Sequence, residues 1–229
     1  MNTVVSVARQ LQARMRREGR SLRGQLPGQR QLAAELGVSR AILREAVAML
    51  ESLGVLRSEP GKGVFIVQPA ERKGSNSLGR WRFETRYALR DVYLIRNELE
   101  DLAAALAASV VTKADLSRLR ETIEQMRSAA LCGDLVSMAE ADRAFHATLI
   151  EIAGSPMLLD LAEDIAEVVE SSRRIAFADP DRVREPIREN GRIVDAIATG
   201  SNKRARAAMR DHICKAAGRV GVTLAIPGV

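Results

Sequence analysis

Residues 20–69 read RSLRGQLPGQRQLAAELGVSRAILREAVAMLESLGVLRSEPGKGVFIVQP, and this stretch decides the fold of the first third of the chain. Pro27 suits a helix opening, because its missing N–H is one of those left unpaired at that end. Leu32, Ala33 and Leu36 form one apolar face, and Gly37 is a helix stop. Ser39 is a good N-cap for a second helix that turns Ile42, Leu43, Ala46, Val47 and Leu50 inward and ends at Gly54. Two short helices joined by a tight turn are a helix-turn-helix, whose second helix presents its first side chains to the major groove. Those side chains are Ser39, Arg40 and Arg44; the two arginines lie four apart and share a face. An arginine fork pairs with guanine or with phosphate oxygens. The following VLRSEPGKGVFIV reads as two strands around a Pro-Gly-Lys-Gly turn, a wing. In it Gly61 and Gly63 allow close backbone approach and Lys62 adds charge at the tip. A helix over Val4–Arg17 precedes the motif, with Val4, Val7, Ala8, Leu11 and Met15 on one stripe.

The charge of the chain agrees with this placement. Residues 1–68 carry eleven Lys and Arg against five Asp and Glu, whereas residues 69–229 balance at twenty-four of each. The whole excess of +6 therefore sits on the first domain, as expected if only that domain meets a polyanion. The chain length of 229 residues allows two domains with cores of their own. Aromatic residues make up only 3%, a composition that favours packed helices over sheets. No apolar run reaches the roughly 18 residues of a membrane span, and the first residues lack a signal-peptide core. Cys132 and Cys214 are isolated and have no metal-type spacing. The expectation is a cytoplasmic protein with free thiols.

Residues 70–86, AERKGSNSLGRWRFETR, read as a basic linker in which Trp81 docks against a neighbouring domain. From residue 87 to 224 the pattern is helical. Helices are expected at Tyr87–Val111, Ala114–Cys132, Leu135–Ala153, Pro156–Ala176, Asp181–Thr199 and Asn202–Leu224, with Pro186 as an anomaly able to split the fifth. The fold class is thus mainly α: a winged helix-turn-helix domain (1–69), a linker (70–86) and an antiparallel all-α bundle of six to seven helices (87–224).

The polar residues that fall on the inward faces of the bundle are informative. Arg96 interrupts the stripe Leu89, Val92, Leu99, Ala103; Asp142 and His146 interrupt Met138, Phe145, Leu149, Ile152. Asn190 lies among Ile187, Val194 and Ile197, and His212 among Ala205, Met209, Ile213 and Ala216. Buried charges need partners or a metal. Asp142 and His146, at i and i+4, can reach one ion, and His212 supplies a second imidazole, a donor set suited to Zn, Ni, Mn or Fe. The competing reading is two core histidines hydrogen-bonded to Asp142 and Asn190.

Residues 1–69 resemble the GntR-type winged helix-turn-helix, through LPGQRQLAAELGVSRAILREAVAMLESLGVL (26–56) and PGKGVFIV (60–67). The resemblance implies DNA contacts from Arg30, Ser39, Arg40, Arg44 and Gly61. Two departures from the family pattern are Gly28-Gln29, where Ser-Glu is usual, and RAIL (40–43), where RTPV is common. The first bears on helix capping and the second on operator sequence. The second half resembles the ligand-binding domain of the FadR-like subfamily, the FCD type, through DVYLIRNELEDLAAALAA (91–108), DRAFHATLIEIAGSPML (142–158) and ENGRIVDAIATGSNKRARAAMRDHI (189–213). That type holds a divalent metal, so the resemblance implies Asp142, His146 and His212 as ligands. The remaining histidine position falls on Asn190, a weaker carbonyl donor. It further implies that Arg96, above the metal, pairs with an effector carboxylate, with Asn190 close by, and that the metal is Zn or Ni.

The expected function is a transcriptional regulator, of the repressor kind, that binds a short palindromic operator as a homodimer and answers to a small organic acid. Two alternatives belong to other classes. A metal-dependent hydrolase would need a general base, and no inward Glu is free for that role in this reading. An architectural DNA-binding protein would lack the sensor.

Overall fold

The computed structural model describes residues 3–18, 24–68, 71 and 80–224. Three helices and a hairpin form the first domain. They are α1 (Val4–Glu18), α2 (Gln29–Leu36), α3 (Arg40–Ser52), β1 (Leu56–Glu59) and β2 (Gly63–Ile66). Val7, Ala8 and Leu11 of α1, Leu32 of α2, and Leu43, Ala46 and Leu50 of α3 are buried together. Gly37 ends α2 at φ 63°, a left-handed conformation that a Cβ would strain. It lets the Gly37 and Val38 N–H groups turn back to Ala34 and Ala33. Ser39 then caps α3 by accepting from the Ile42 N–H at 3.2 Å. Pro27 lies before the cap residue Gly28 rather than in the first turn, so it stiffens the approach to α2 instead of opening it. The strands pair antiparallel from Leu56↔Ile66 to Glu59↔Gly63, and Gln25 adds a bridge to Phe65.

The second domain has seven helices: α4 (Leu89–Val110), α5 (Lys113–Leu131), α6 (Leu135–Ile152), α7 (Pro156–Asp164), α8 (Ala166–Ile175), α9 (Glu185–Ala198) and α10 (Asn202–Arg219). Helix α4 is the axis of the bundle and packs against α6 to α10, while α5 closes the far side against α6 and α9. Ala103, Ala104, Ala107 and Ala108 keep its surface low, so that its neighbours, α10 above all, come close. Side-chain caps set several helix starts: Thr112 with Asp115 for α5, Asp134 for α6, Ser155 for α7 and Ser201 for α10. Two expectations need correction. The single helix expected over Pro156–Ala176 breaks at Ile165, which turns α8 onto α4 and creates a separate wall of the bundle. Pro186 does not split its helix; α9 begins at Glu185, so the proline occupies the first turn, where no donor is lost.

The two domains touch. Gln12 of α1 is buried, its amide donating to the Gly133 carbonyl and its oxygen accepting from the Val136 N–H, each at 3.2 Å. Arg16 donates to the Cys132 carbonyl at 2.8 Å. All three bonds satisfy backbone groups of the α5–α6 turn that helix geometry leaves open. Helix α3 also packs against α8. Most of the expected linker lies outside the described residues. Within its described part, Trp81 docks as expected, donating to the Tyr87 carbonyl at 2.8 Å and tilting against Phe83.

Candidate functional site

The candidate DNA face is assembled from three exposed pieces. Arg30 stands in the first turn of α2, Ser39, Arg40 and Arg44 at the start of α3, and Gly61 and Lys62 at the wing tip, all exposed. Arg30, Arg40 and Arg44 make no ion pair among the described residues, so their guanidinium groups are available to phosphates and base edges. Gly61 has φ 74° and carries the tight turn. Gly63 is constrained by space as well as by conformation: a Cβ there would meet the Gln25 amide at 2.6 Å. That amide donates to the Lys62 carbonyl at 2.7 Å and props the wing. Lys62 reaches back to Glu59 at 3.2 Å, an exposed pair of little strength.

The bundle interior holds the five inward polar groups where their periodicity places them. Arg96, Asp142, His146, Asn190 and His212 are each 3% exposed or less. Their partners differ from the expected ones. Arg96 donates through Nε to Glu100 at 2.9 Å. Arg173 of α8 donates to the same Glu100 oxygen at 2.9 Å. His146 Nδ1 lies 2.6 Å from the other Glu100 oxygen, out of line for a hydrogen bond, and its Nε2 lies 3.8 Å from Asp142. His212 Nδ1 meets Glu189 at 2.9 Å, and Arg219 holds Glu189 through two further bonds. The histidines therefore face Glu100 and Glu189, not Asp142 and Asn190 as hydrogen-bond partners. Their rings stand 5.3 Å apart at 32°.

Sequence reasoning missed Glu100 and Glu189, and both are buried inward glutamates. Glu100 stands four residues after Arg96 on the same stripe and was within reach of the same periodicity; Glu189 lies one position off the stripe of Asn190. Neither is a free base. Burial works to raise Glu100, yet Arg173, Arg96 and His146 together hold its carboxyl well below the usual range. Burial likewise opposes the charge of Glu189, but bonds from His212 and Arg219 bring it to about 2. Burial, reinforced by Arg173, lowers His146 to about 4, which keeps the imidazole neutral near pH 7 with a lone pair to offer.

Among the described residues no three His, Cys, Asp or Glu side chains already converge as a finished metal site. The donor chemistry nonetheless suits a cation. His146 Nε2 and Asn190 Oδ1 are buried without partners, while the Asn190 amide donates to Asp142 at 3.1 Å. A carboxylate beside Nδ1 of each histidine, Glu100 or Glu189, is the outer arrangement that orients metal-binding imidazoles with Nε2 forward.

Beside this layer is a cavity of about 300 Å3 between α4, α6, α7 and α8. Arg96, Glu100 and Arg173 form its inner end, and Arg143, Glu151 and Glu163 its exposed mouth. Asp142, His146, Asn190 and His212 are not among its lining residues, so the structure places Asn190 behind the cavity wall. Arg173 and the α8 residues of this wall carried no sequence signal, because the break at Ile165 that aims them inward was not foreseen.

An exposed basic helix-turn-helix face on a bundle with a charged, partly hollow interior defines a DNA-binding regulator with a ligand-binding domain. The matches to known proteins agree. Residues 3–66 match the model described as bacterial regulatory proteins, gntR family, and residues 91–214, more than half of the chain, match the FCD domain. The chain belongs to the GntR family of transcriptional regulators and carries an FCD domain. It is 29% identical to the HTH-type transcriptional regulator LutR of Bacillus subtilis over 187 residues, covering 80% of this chain and 84% of that one. The Glc operon transcriptional activator of Escherichia coli is 25% identical, with 82% and 77% covered. Among solved structures, E. coli McbR/YncC superposes with a TM-score of 0.54 at 21% identity, with 96% and 98% covered. A GntR protein from Rhodococcus sp. RHA1 gives 0.52 at 24%, with 88% and 89% covered. Among the described residues no helix is long and apolar enough to cross a membrane.

Proposed function

We propose that this regulator binds a palindromic operator as a homodimer and changes its hold on DNA when a small carboxylic acid enters the bundle cavity. Arg40 and Arg44 read base edges, Ser39 and Arg30 bond the phosphates at the groove margin, and Gly61 and Lys62 carry the wing across the backbone. Arg96, at the inner end of the cavity, receives the acid's carboxylate, with Arg173 beside it. Asp142, His146 and His212 hold a divalent cation, and Asn190 offers its unpartnered carbonyl oxygen as the fourth donor. That cation would supply a fixed positive charge behind the carboxylate site. The names of relatives, a Glc operon transcriptional activator and a Uxu operon regulator among them, accord with control of an operon.

The observation that carries this reading is the double attachment of α8. Val169 and Arg173 line the cavity. Two residues before Val169, Glu167 pairs at 3.3 Å with Arg82, which also holds Glu45 of α3 at 2.8 Å. Glu45 adjoins Arg44, so a shift of α8 on ligand binding reaches the recognition helix directly. The ionic locks on Glu100 and Glu189 favour this reading over hydrolysis, which needs a free base.

The test uses two variants. Arg96→Ala should keep operator binding and lose binding of the acid, read by calorimetry. Arg82→Ala should bind both, with a smaller effect of the acid on operator affinity. An Arg96→Ala protein that binds and responds like wild type contradicts the proposal.

A further inference from the structure

The lining of the bundle cavity is unusual in what it lacks. Among its residues there is no Ser, Thr, Asn, Gln, Tyr or His; every one is aliphatic, Arg or Glu. Leu99, Ala147, Ile150, Leu159, Ala162 and Val169 make a continuous apolar body between the inner end and the mouth. The charges are sorted by depth. At the buried end two guanidiniums, Arg96 and Arg173, share one carboxylate, Glu100, and the Arg173 Nε donates to nothing. At the mouth Glu163, Glu170 and Glu151, the last paired with Arg118 at 2.6 Å, outnumber the one arginine of the lining there, Arg143, which is bonded to Glu140 and near Glu170.

From this we infer that the cavity takes a monocarboxylic acid with an apolar body, such as a medium-chain or aryl-alkyl acid, and not a hydroxy acid, a sugar acid or a dicarboxylate. The inference rests on the cavity being the effector site and names the chemical class of the effector. Three physical reasons decide it. A hydroxyl along the body of the ligand would lie against Leu99, Ala147, Ile150, Leu159, Ala162 and Val169, whose side chains offer no donor or acceptor, and burying one without a partner is unfavourable. A second carboxylate on the ligand would lie among the mouth glutamates, where like charge repels it. A three-carbon acid would reach the arginines but leave most of the 300 Å3 unfilled, whereas a longer apolar body replaces water along the aliphatic wall. The single carboxylate needs no new cation: it takes the free Arg173 Nε and shares the Arg96 guanidinium that Glu100 engages through Nε only.

Calorimetry on the full-length protein with a homologous series tests the class without altering the fold. Propanoate, butanoate, hexanoate, octanoate and 3-phenylpropanoate are compared with lactate, gluconate and succinate. The expected result is a dissociation constant that falls about fourfold per added methylene until the cavity is full. Lactate, gluconate and succinate should each bind more weakly than hexanoate, by about tenfold or more. Ala162→Leu, which narrows the apolar body, should move the optimum to a shorter chain. Tighter binding of lactate, gluconate or succinate, or an affinity independent of chain length, would overturn the apolar class while leaving a carboxylate effector in place. Failure of every acid in both sets to bind would remove the effector reading of the cavity, and the inference with it.

Discussion

The two domains use arginine in opposite ways. On the helix-turn-helix, Arg30, Arg40 and Arg44 are exposed and make no ion pair among the described residues. In the bundle, Arg96, Arg173 and Arg219 are nearly enclosed and answered by Glu100 and Glu189. An exposed guanidinium costs folding little and remains open to an external polyanion. A buried one must be neutralised from within, so its removal, or removal of its partner, is felt by the whole domain. The contrast separates a surface left open to a polyanion from an interior whose charges are already paired.

The largest expected effect breaks the interior side of this contrast. Glu100→Ala leaves Arg96 and Arg173 buried without their shared carboxylate, and urea denaturation should show a loss of about 3–5 kcal/mol. Arg44→Ala should shift the same midpoint by no more than about 0.5 kcal/mol. That variant should lose about 1–3 kcal/mol of operator affinity, read by fluorescence anisotropy on the operator duplex. Glu189→Gln weakens the anchor on His212 Nδ1, and zinc affinity in the full chain should fall about 10–100-fold by competition titration. Asn190→His, which replaces an amide oxygen by an imidazole, should tighten zinc in the same titration. The smallest effect belongs to the wing. Lys62→Ala should weaken operator and random duplexes alike and flatten the salt dependence by about one unit of log–log slope.

Legibility followed the same division. The first domain was readable because its signals are local: Gly37, Ser39, the arginine pair and the Pro-Gly-Lys-Gly turn lie within one stretch, each with its own mechanism. The five inward polar residues of the bundle were readable from helical period alone. Their partners were not, because pairing depends on which helices meet. Glu100 and Arg219 lay on stripes already drawn, at i+4 from Arg96 and i+7 from His212, yet nothing on the stripe says what each would meet. Arg173 could not be placed, since its direction depends on the break at Ile165, where no proline or glycine marks the end of α7. Pro186 misled in the opposite sense, because a proline in a first turn and a proline in a helix interior look alike until the boundary is known.

Under the proposed function, occupancy of the bundle interior sets operator affinity. The direct measurement is operator binding by the full-length protein, followed by anisotropy, with and without a saturating concentration of the acid that calorimetry identifies. The account predicts a change in operator dissociation constant of about fivefold or more, the lower range of energetic coupling between distinct sites. An operator affinity unchanged by the saturating acid would contradict it, because a ligand that binds both states equally shifts nothing.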